Sequence, residues 1–124
     1  MIRVRLTREA ERDLAEIARY TVATFGAEQA MRYAGLIERA LGLPAADPDL
    51  SASRNRDELR PGVRSLHLSR AAARRHAAAH VLYYHLRTPP DGGRDLVLLR
   101  VLHERMEPLK RLVDATSPEK DRAP

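Results

Sequence analysis

A chain of 124 residues with 44% hydrophobic residues and a net charge of +5 supports one folded domain around one core. The absence of cysteine excludes disulfides and thiolate chemistry. No apolar run approaches the roughly 18 residues of a membrane helix, and the opening MIRVRLT lacks the apolar stretch of a secretory leader, so a cytoplasmic protein is expected.

The elements can be taken in order. Ile2, Val4 and Leu6 alternate with Arg3 and Arg5, the period of a half-buried strand. Thr7 follows as a helix N-cap, with Glu9, Glu11 and Asp13 where a helix dipole favours acids. Ala10, Leu14, Ile17, Ala18, Thr21 and Phe25 then recur on one helical face, and Gly26 ends that helix. A second stripe runs through Ala30, Ala34, Ile37 and Leu41, its end bracketed by Gly42, Pro44 and Pro48. Two such helices joined at one glycine form a helical hairpin. From Pro61 the period changes to that of strands, over Val63–Leu68, Val81–Leu86 and Leu96–Leu102. Pro89-Pro90-Asp91-Gly92-Gly93 is a turn that pairs the last two as a hairpin. Ser69–Ala79 reads as a short helix by propensity or as an extended hairpin tip by position; eleven residues barely support an isolated helix, which tilts the choice to the tip. Pro108 opens a short helix over Leu109–Ala115. The expected fold is an α+β domain over residues 1–116, ordered β-α-α-β-β-β-α, with the helical hairpin on one face of a small, mainly antiparallel sheet; residues 117–124 are a polar tail expected to fray.

Charge is unevenly placed along this frame. Residues 1–50 sum to −1, residues 51–111 to +7, and the last thirteen to −1. Such a distribution suits an acidic partner, nucleic acid or protein, and also suits a plain solvated surface. Motifs for the common chemistries are missing. Among five histidines only His76 and His80 have helical ligand spacing, and without a third ligand they make no metal site; no cofactor is implied. No serine lies in a nucleophile elbow, and no glycine-rich phosphate loop is present. Cleavage of RNA without a metal would need a base for the 2′-hydroxyl, an acid for the leaving oxygen and cations for the phosphate. Arg64, Arg100, His103 and Arg105 are the groups whose strand ends would bring them together. By alternation Arg100 shares a face with Leu96, Leu98 and Leu102, so it must emerge at an edge or find a partner among Asp57, Glu58 and Glu104.

Four segments taken together resemble the ParE branch of the RelE/ParE toxin superfamily. They are Leu6-Thr7-Arg8-Glu9-Ala10-Glu11-Arg12-Asp13-Leu14-Ala15-Glu16-Ile17, then Arg56-Asp57-Glu58-Leu59-Arg60-Pro61-Gly62-Val63-Arg64-Ser65-Leu66, then Tyr83-Tyr84, and finally Leu99-Arg100-Val101-Leu102-His103-Glu104-Arg105-Met106. The resemblance covers about residues 2–112, and the second and fourth segments are the specific ones. It implies a toxin of a type II toxin–antitoxin pair: a cytoplasmic protein bound by a cognate antitoxin in a hetero-oligomer and directed at DNA gyrase, with contact to DNA through a basic surface. RelE-like relatives instead cleave mRNA, and usually carry a tyrosine near the C-terminus; here none follows Tyr84. The expected toxic surface is Arg64, Arg100, His103 and Arg105, acting by binding and charge. Tyr20, Tyr33 and Leu36, which lie off the main stripes of the hairpin, are the expected antitoxin anchors. The alternatives left by the sequence are a metal-independent endoribonuclease and a degenerate toxin that only binds its antitoxin. Ser69–Ala79 is longer than the turn expected of a compact ParE, and Arg70, Arg74, Arg75 and His76 in it would extend the basic surface.

Overall fold

The structure, a computed structural model, describes residues 2–72 and 78–113. The tail from 117 and the Arg74, Arg75, His76 part of the expected basic extension lie outside them. Strand β1 (Ile2–Leu6) leads into helix α1 (Arg8–Phe25), and α2 (Ala27–Ala46) returns from it. A two-residue β2 (Arg54–Asn55), then β3 (Arg64–His67), β4 (His80–Arg87) and β5 (Arg94–His103) complete the sheet, and α3 (Pro108–Val113) closes the described chain. The strand order is β1-β5-β4-β3-β2, with β1 parallel to β5 and every other pair antiparallel. This is the expected α+β architecture with one short edge strand added, since a two-residue bridge carries no periodicity to read. After β3 the chain makes a 3-10 turn at Leu68–Arg70, not a helix, over the described part of the segment whose conformation the sequence left open.

Thr7 explains how β1 and α1 meet. Its Oγ1 accepts the Ala10 N–H at 3.0 Å as the N-cap and donates to the Leu99 carbonyl at 2.8 Å. Gly26 joins the two helices with φ +94°, a left-handed value that a side chain would strain. Helix α2 runs two residues past Pro44, ending at Ala46 within the stretch that Gly42, Pro44 and Pro48 bracket. The ring fits because it falls in the last turn, where only one intrahelical hydrogen bond is forfeited, and because it packs inside.

The core has two layers. Ala10, Leu36, Ile37 and Ala40 of the hairpin pack on Leu66, Leu82, Tyr84, Leu96, Leu98 and Val101. On the other face Val63, Tyr83, Val97, Leu99 and Leu102 pack with Leu112 of α3. The near-continuous apolar run of β5 thus follows from burial on both faces. Two hairpin expectations change. Leu36, placed off the core by the stripe pattern, is only 5% exposed and sits in the first layer. Phe25, placed in the core, is 64% exposed at the far end of α1, edge-on to Tyr20 at 6.4 Å.

A register shift between Tyr83 and Tyr84 changes the parity of β5. Tyr84 pairs with Leu98 and Tyr83 with Arg100, so Leu99 is the extra residue of a bulge. Leu98 and Val101, an odd number of residues apart, therefore share the helical face. Simple alternation assigned the residues beyond Leu99 to the wrong faces for this reason.

Candidate functional site: a basic groove beside the last turn

Among the described residues α3 covers the outer face of the sheet chiefly over β5, with Val63 and Tyr83 in the same cluster. Over β3 and β4 that face stays open and floors a groove of about 630 Å³. Ser65, His67, Val81 and Tyr83 line the floor, Arg54, Arg56 and Arg70 one side, and Glu104, Met106 and Pro108 the other. The 56–63 loop holds the arginine side in shape. Asp57 accepts the Gly62 N–H at 2.9 Å and the Asn55 side-chain amide at 3.1 Å, while the Arg56 N–H reaches the Val63 carbonyl at 2.9 Å. These bonds hold the Asp57 carboxyl below its ordinary pKa, the Gly62 N–H contributing most. Gly62 itself has φ +85°, which is what the Arg60-Pro61-Gly62 turn requires of it. Arg56 lies over the Tyr83 ring at 5.6 Å and is held by Glu58 at 2.7 Å.

Opposite, the Glu104 carboxylate is 2.7 Å from His67 Nε2. That contact, with His103 and Arg105 nearby, lowers the Glu104 pKa. The turn carrying Glu104 is fixed by its N–H on the Ala79 carbonyl at 2.8 Å and by the Met106 N–H on the His103 carbonyl at 2.9 Å. An imidazole–carboxylate pair among guanidinium groups can accept a proton and bind an anion.

The four expected toxic residues do not form one cluster. Arg64 is turned to the helical side, where it donates to Ser53 Oγ at 2.8 Å and to the Ser53 carbonyl at 3.0 Å. Arg100 forks onto Asp13 at 2.8 and 2.9 Å and donates to the Arg111 carbonyl at 2.9 Å. Its partner is thus Asp13 of α1 and none of Asp57, Glu58 and Glu104. Asp13 also accepts the Val101 N–H at 2.9 Å, supplying an acceptor to β5 beyond the end of β1. Only His103 and Arg105 adjoin, the Arg105 N–H meeting His103 Nδ1 at 3.1 Å.

A second cavity of about 740 Å³ lies on the other side of the same turn. Tyr20, Phe25 and Tyr33 form its hairpin wall, and His80, His103 and Met106 face them. The Tyr33 hydroxyl accepts the Ala79 N–H at 3.2 Å and lies 2.6 Å from His80 Nδ1, so it donates there to a neutral imidazole. Burial raises the Tyr33 pKa and lowers that of His80, the latter helped by His103, whose ring stacks edge-on at 5.5 Å. Tyr20 and Tyr33 therefore share one cavity, while Leu36 lies beneath in the core. Among the described residues no group of three His, Asp or Glu is placed to hold a metal ion, and no helix is long and apolar enough to cross a membrane.

Comparison with known proteins decides the family. The family model described as the ParE toxin of type II toxin–antitoxin systems, parDE, matches residues 4–108. The chain belongs to the ParE toxin family. Toxin ParE of Escherichia coli is 31% identical over 109 residues, covering 88% of this chain and 91% of that one. Toxin ParE1 of Mycobacterium tuberculosis is 35% identical over 102 residues, covering 82% and 89%. A solved chain from the chromosomal ParDE system of P. aeruginosa superposes with a TM-score of 0.62 at 22% identity, covering 83% of this chain and 96% of that one, and so shares the fold.

In this ParE chain the groove residues missed by sequence reasoning are Arg54, Arg56, His67 and Glu104, whereas Arg70 was expected to extend the basic surface. A signal for His67 was present: in Val63–Leu68 the polar Ser65 and His67 alternate with Leu66 and Leu68, which marks one side of β3 as polar. Nothing local could reveal that Glu104 meets it, because 37 residues separate the two.

Proposed function

We propose that this ParE-family chain acts on DNA gyrase, blocks replication, and is held inactive in the cytoplasm by a cognate antitoxin. The observation that carries the reading is the reach of the family match, which runs from β1 to the first residue of α3 and includes both the groove and the cavity. The P. aeruginosa chain of the same fold belongs to a ParDE system, which supports a toxin–antitoxin hetero-oligomer here. The toxic surface is the turn with His103 and Arg105 together with the basic groove, through which DNA contact would occur. Arg64 and Arg100 belong to it as the groups that hold β3 and β5 in place. Tyr20 and Tyr33 are the antitoxin anchors, because both line a half-aromatic cavity large enough for side chains of a docking segment. A supercoiling and DNA-cleavage assay with purified chain tests this directly. Linearised plasmid that disappears on adding antitoxin is the expected result, and intact supercoiling activity with folded chain would overturn it.

The His67–Glu104 pair favours one second reading, a metal-independent endoribonuclease with this pair as the acid–base group and Arg54, Arg56 and Arg70 around the phosphate. Message integrity after induction separates the two, since gyrase inhibition leaves mRNA uncut.

A further inference from the structure

We infer that the groove over β3 and β4 is a binding site for the phosphodiester backbone of a single nucleic-acid strand, and that the Glu104 carboxylate occupies the phosphate position on His67 when no strand is bound. This deepens the groove's part in the proposed function and does not depend on gyrase.

The lining supplies what a phosphate chain needs. Arg54 and Arg70 are exposed at one rim, and Arg56 stands between β2 and the floor. Ser69 adds a hydroxyl, and Arg56 Nη1 lies 3.5 Å from the buried Ser65 Oγ. These groups lie within the stretch that carries the chain's whole positive excess, +7 over residues 51–111. Guanidinium groups bind phosphate oxygens by paired N–H donors, and each neutralised phosphate releases counterions.

Shape selects a single strand. The floor is two strands wide, about 10 Å at the usual strand spacing, and the 630 Å³ volume is that of a small-ligand pocket. A splayed strand can lay its backbone there, whereas a duplex would bridge the rims and reach only the outer arginines. Arg56 adds a place for a base. One face of its guanidinium lies on Tyr83, which leaves the other for stacking. An acidic helix is the competing occupant, but it would need apolar anchors, and the aromatic floor residue Tyr83 is 5% exposed beneath Arg56.

Among the described residues Glu104 is the one carboxylate lining the groove, and it is engaged with His67 at 2.7 Å. A phosphate oxygen is the natural substitute for it, so the contact serves as an internal competitor for the incoming strand.

The test is fluorescence anisotropy of the full chain, without antitoxin or gyrase, using labelled single-stranded DNA and RNA 12-mers, a DNA duplex of equal length and a poly-glutamate peptide. Single strands are expected to bind tighter than duplex or peptide, with a salt slope near −2 for about three phosphate contacts. Preference between the DNA and RNA strands then identifies which nucleic acid supplies the backbone. Arg54→Ala combined with Arg70→Ala should weaken binding about tenfold or more and reduce the slope by about 1.4. Arg19→Ala with Arg32→Ala, of equal charge but on the hairpin, should leave both unchanged. Glu104→Gln should tighten binding several-fold. The proposal fails if folded chain binds no strand at low salt, if duplex or peptide binds at least as tightly, if the hairpin variant loses as much as the groove variant, or if Glu104→Gln does not tighten binding. A gyrase assay on the same preparations reports separately on the toxin reading.

Discussion

On its helical side the sheet presents Leu82, Tyr84, Leu96, Leu98 and Val101, none more than 2% exposed, beneath α1 and α2. On its outer side Val97, Leu99 and Leu102 are sealed by Leu112, while two strands away His67 lies on the floor of an open basic groove. The same strands serve both purposes because successive side chains point to opposite faces. What differs is the cover. Two helices of 18 and 20 residues lie on one face, and a six-residue helix reaches part of the other. The uncovered part is where polar residues can be kept without desolvation cost, and it is where the anion-binding groups gather.

The largest expected effect lies where the hairpin is fastened to the sheet. Asp13→Ala should cost about 3–5 kcal/mol, because it removes the carboxylate on which the Arg100 guanidinium, its side chain 17% exposed, forks and which accepts the Val101 N–H. Arg100→Ala should cost a similar amount by leaving the Asp13 carboxylate behind. Urea denaturation measures both. A loss of toxicity in Arg100→Ala that exceeds its loss of folded protein would return Arg100 to the toxic surface as a direct contact.

Next comes Thr7→Val, which removes the N-cap and the donor to the Leu99 carbonyl while keeping the shape. About 1–2 kcal/mol is expected, read as a lower thermal midpoint. A shift indistinguishable from zero would mean that the parallel β1–β5 ladder alone sets the entry of α1.

A pH effect of smaller size should come from His80 and His85. Burial lowers both pKa values, with His103 adding to the first and Arg60 and Arg87 to the second. The folded chain therefore binds fewer protons than the unfolded one, so their contribution is present above about pH 6.5 and lost as pH falls through the lowered values. Denaturation midpoints at about pH 8 and about pH 5.5 should differ accordingly, and His80→Gln should remove part of the difference. An unaltered difference would assign the effect to His85.

The smallest stability effect is expected at the open end of the hairpin. Tyr20→Ala, at a residue 65% exposed, should change stability by no more than about 0.5 kcal/mol. It should nonetheless weaken antitoxin affinity about tenfold or more, as expected of an aromatic anchor. Unchanged affinity by titration calorimetry would remove the cavity from the antitoxin surface.

Much of the frame was legible in the residues themselves. The two helices, the Gly26 joint, the Thr7 cap, the turn at 89–93 and the apolar strand β5 all follow from local pattern. What escaped depends on contacts far apart in the chain. The bulge at Leu99 reverses face assignment by one inserted residue, which alternation cannot foresee. Asp13 lies 87 residues from Arg100, so proximity in sequence suggested Asp57, Glu58 and Glu104 instead. Leu36 was misplaced because α2 meets α1 on one side and the sheet on another, so more than one of its faces is buried. The groove was least legible: its two walls come from residues 54–70 and 104–108, and only the β3–β4–β5 pairing brings them to opposite sides of one floor.

The parallel ladder between β1 and β5 sets a schedule. Residues 2–6 leave the ribosome long before their partners, residues 94–98. Until those emerge, β1 has no neighbour, α1 lacks the carbonyl that Thr7 holds, and Asp13 has neither Arg100 nor Val101. A nascent chain that has not reached residues 94–98 cannot close the sheet, and contacts so distant in sequence form slowly. The fold therefore closes late, which leaves an interval in which a binding partner already present could meet the chain before its sheet is complete.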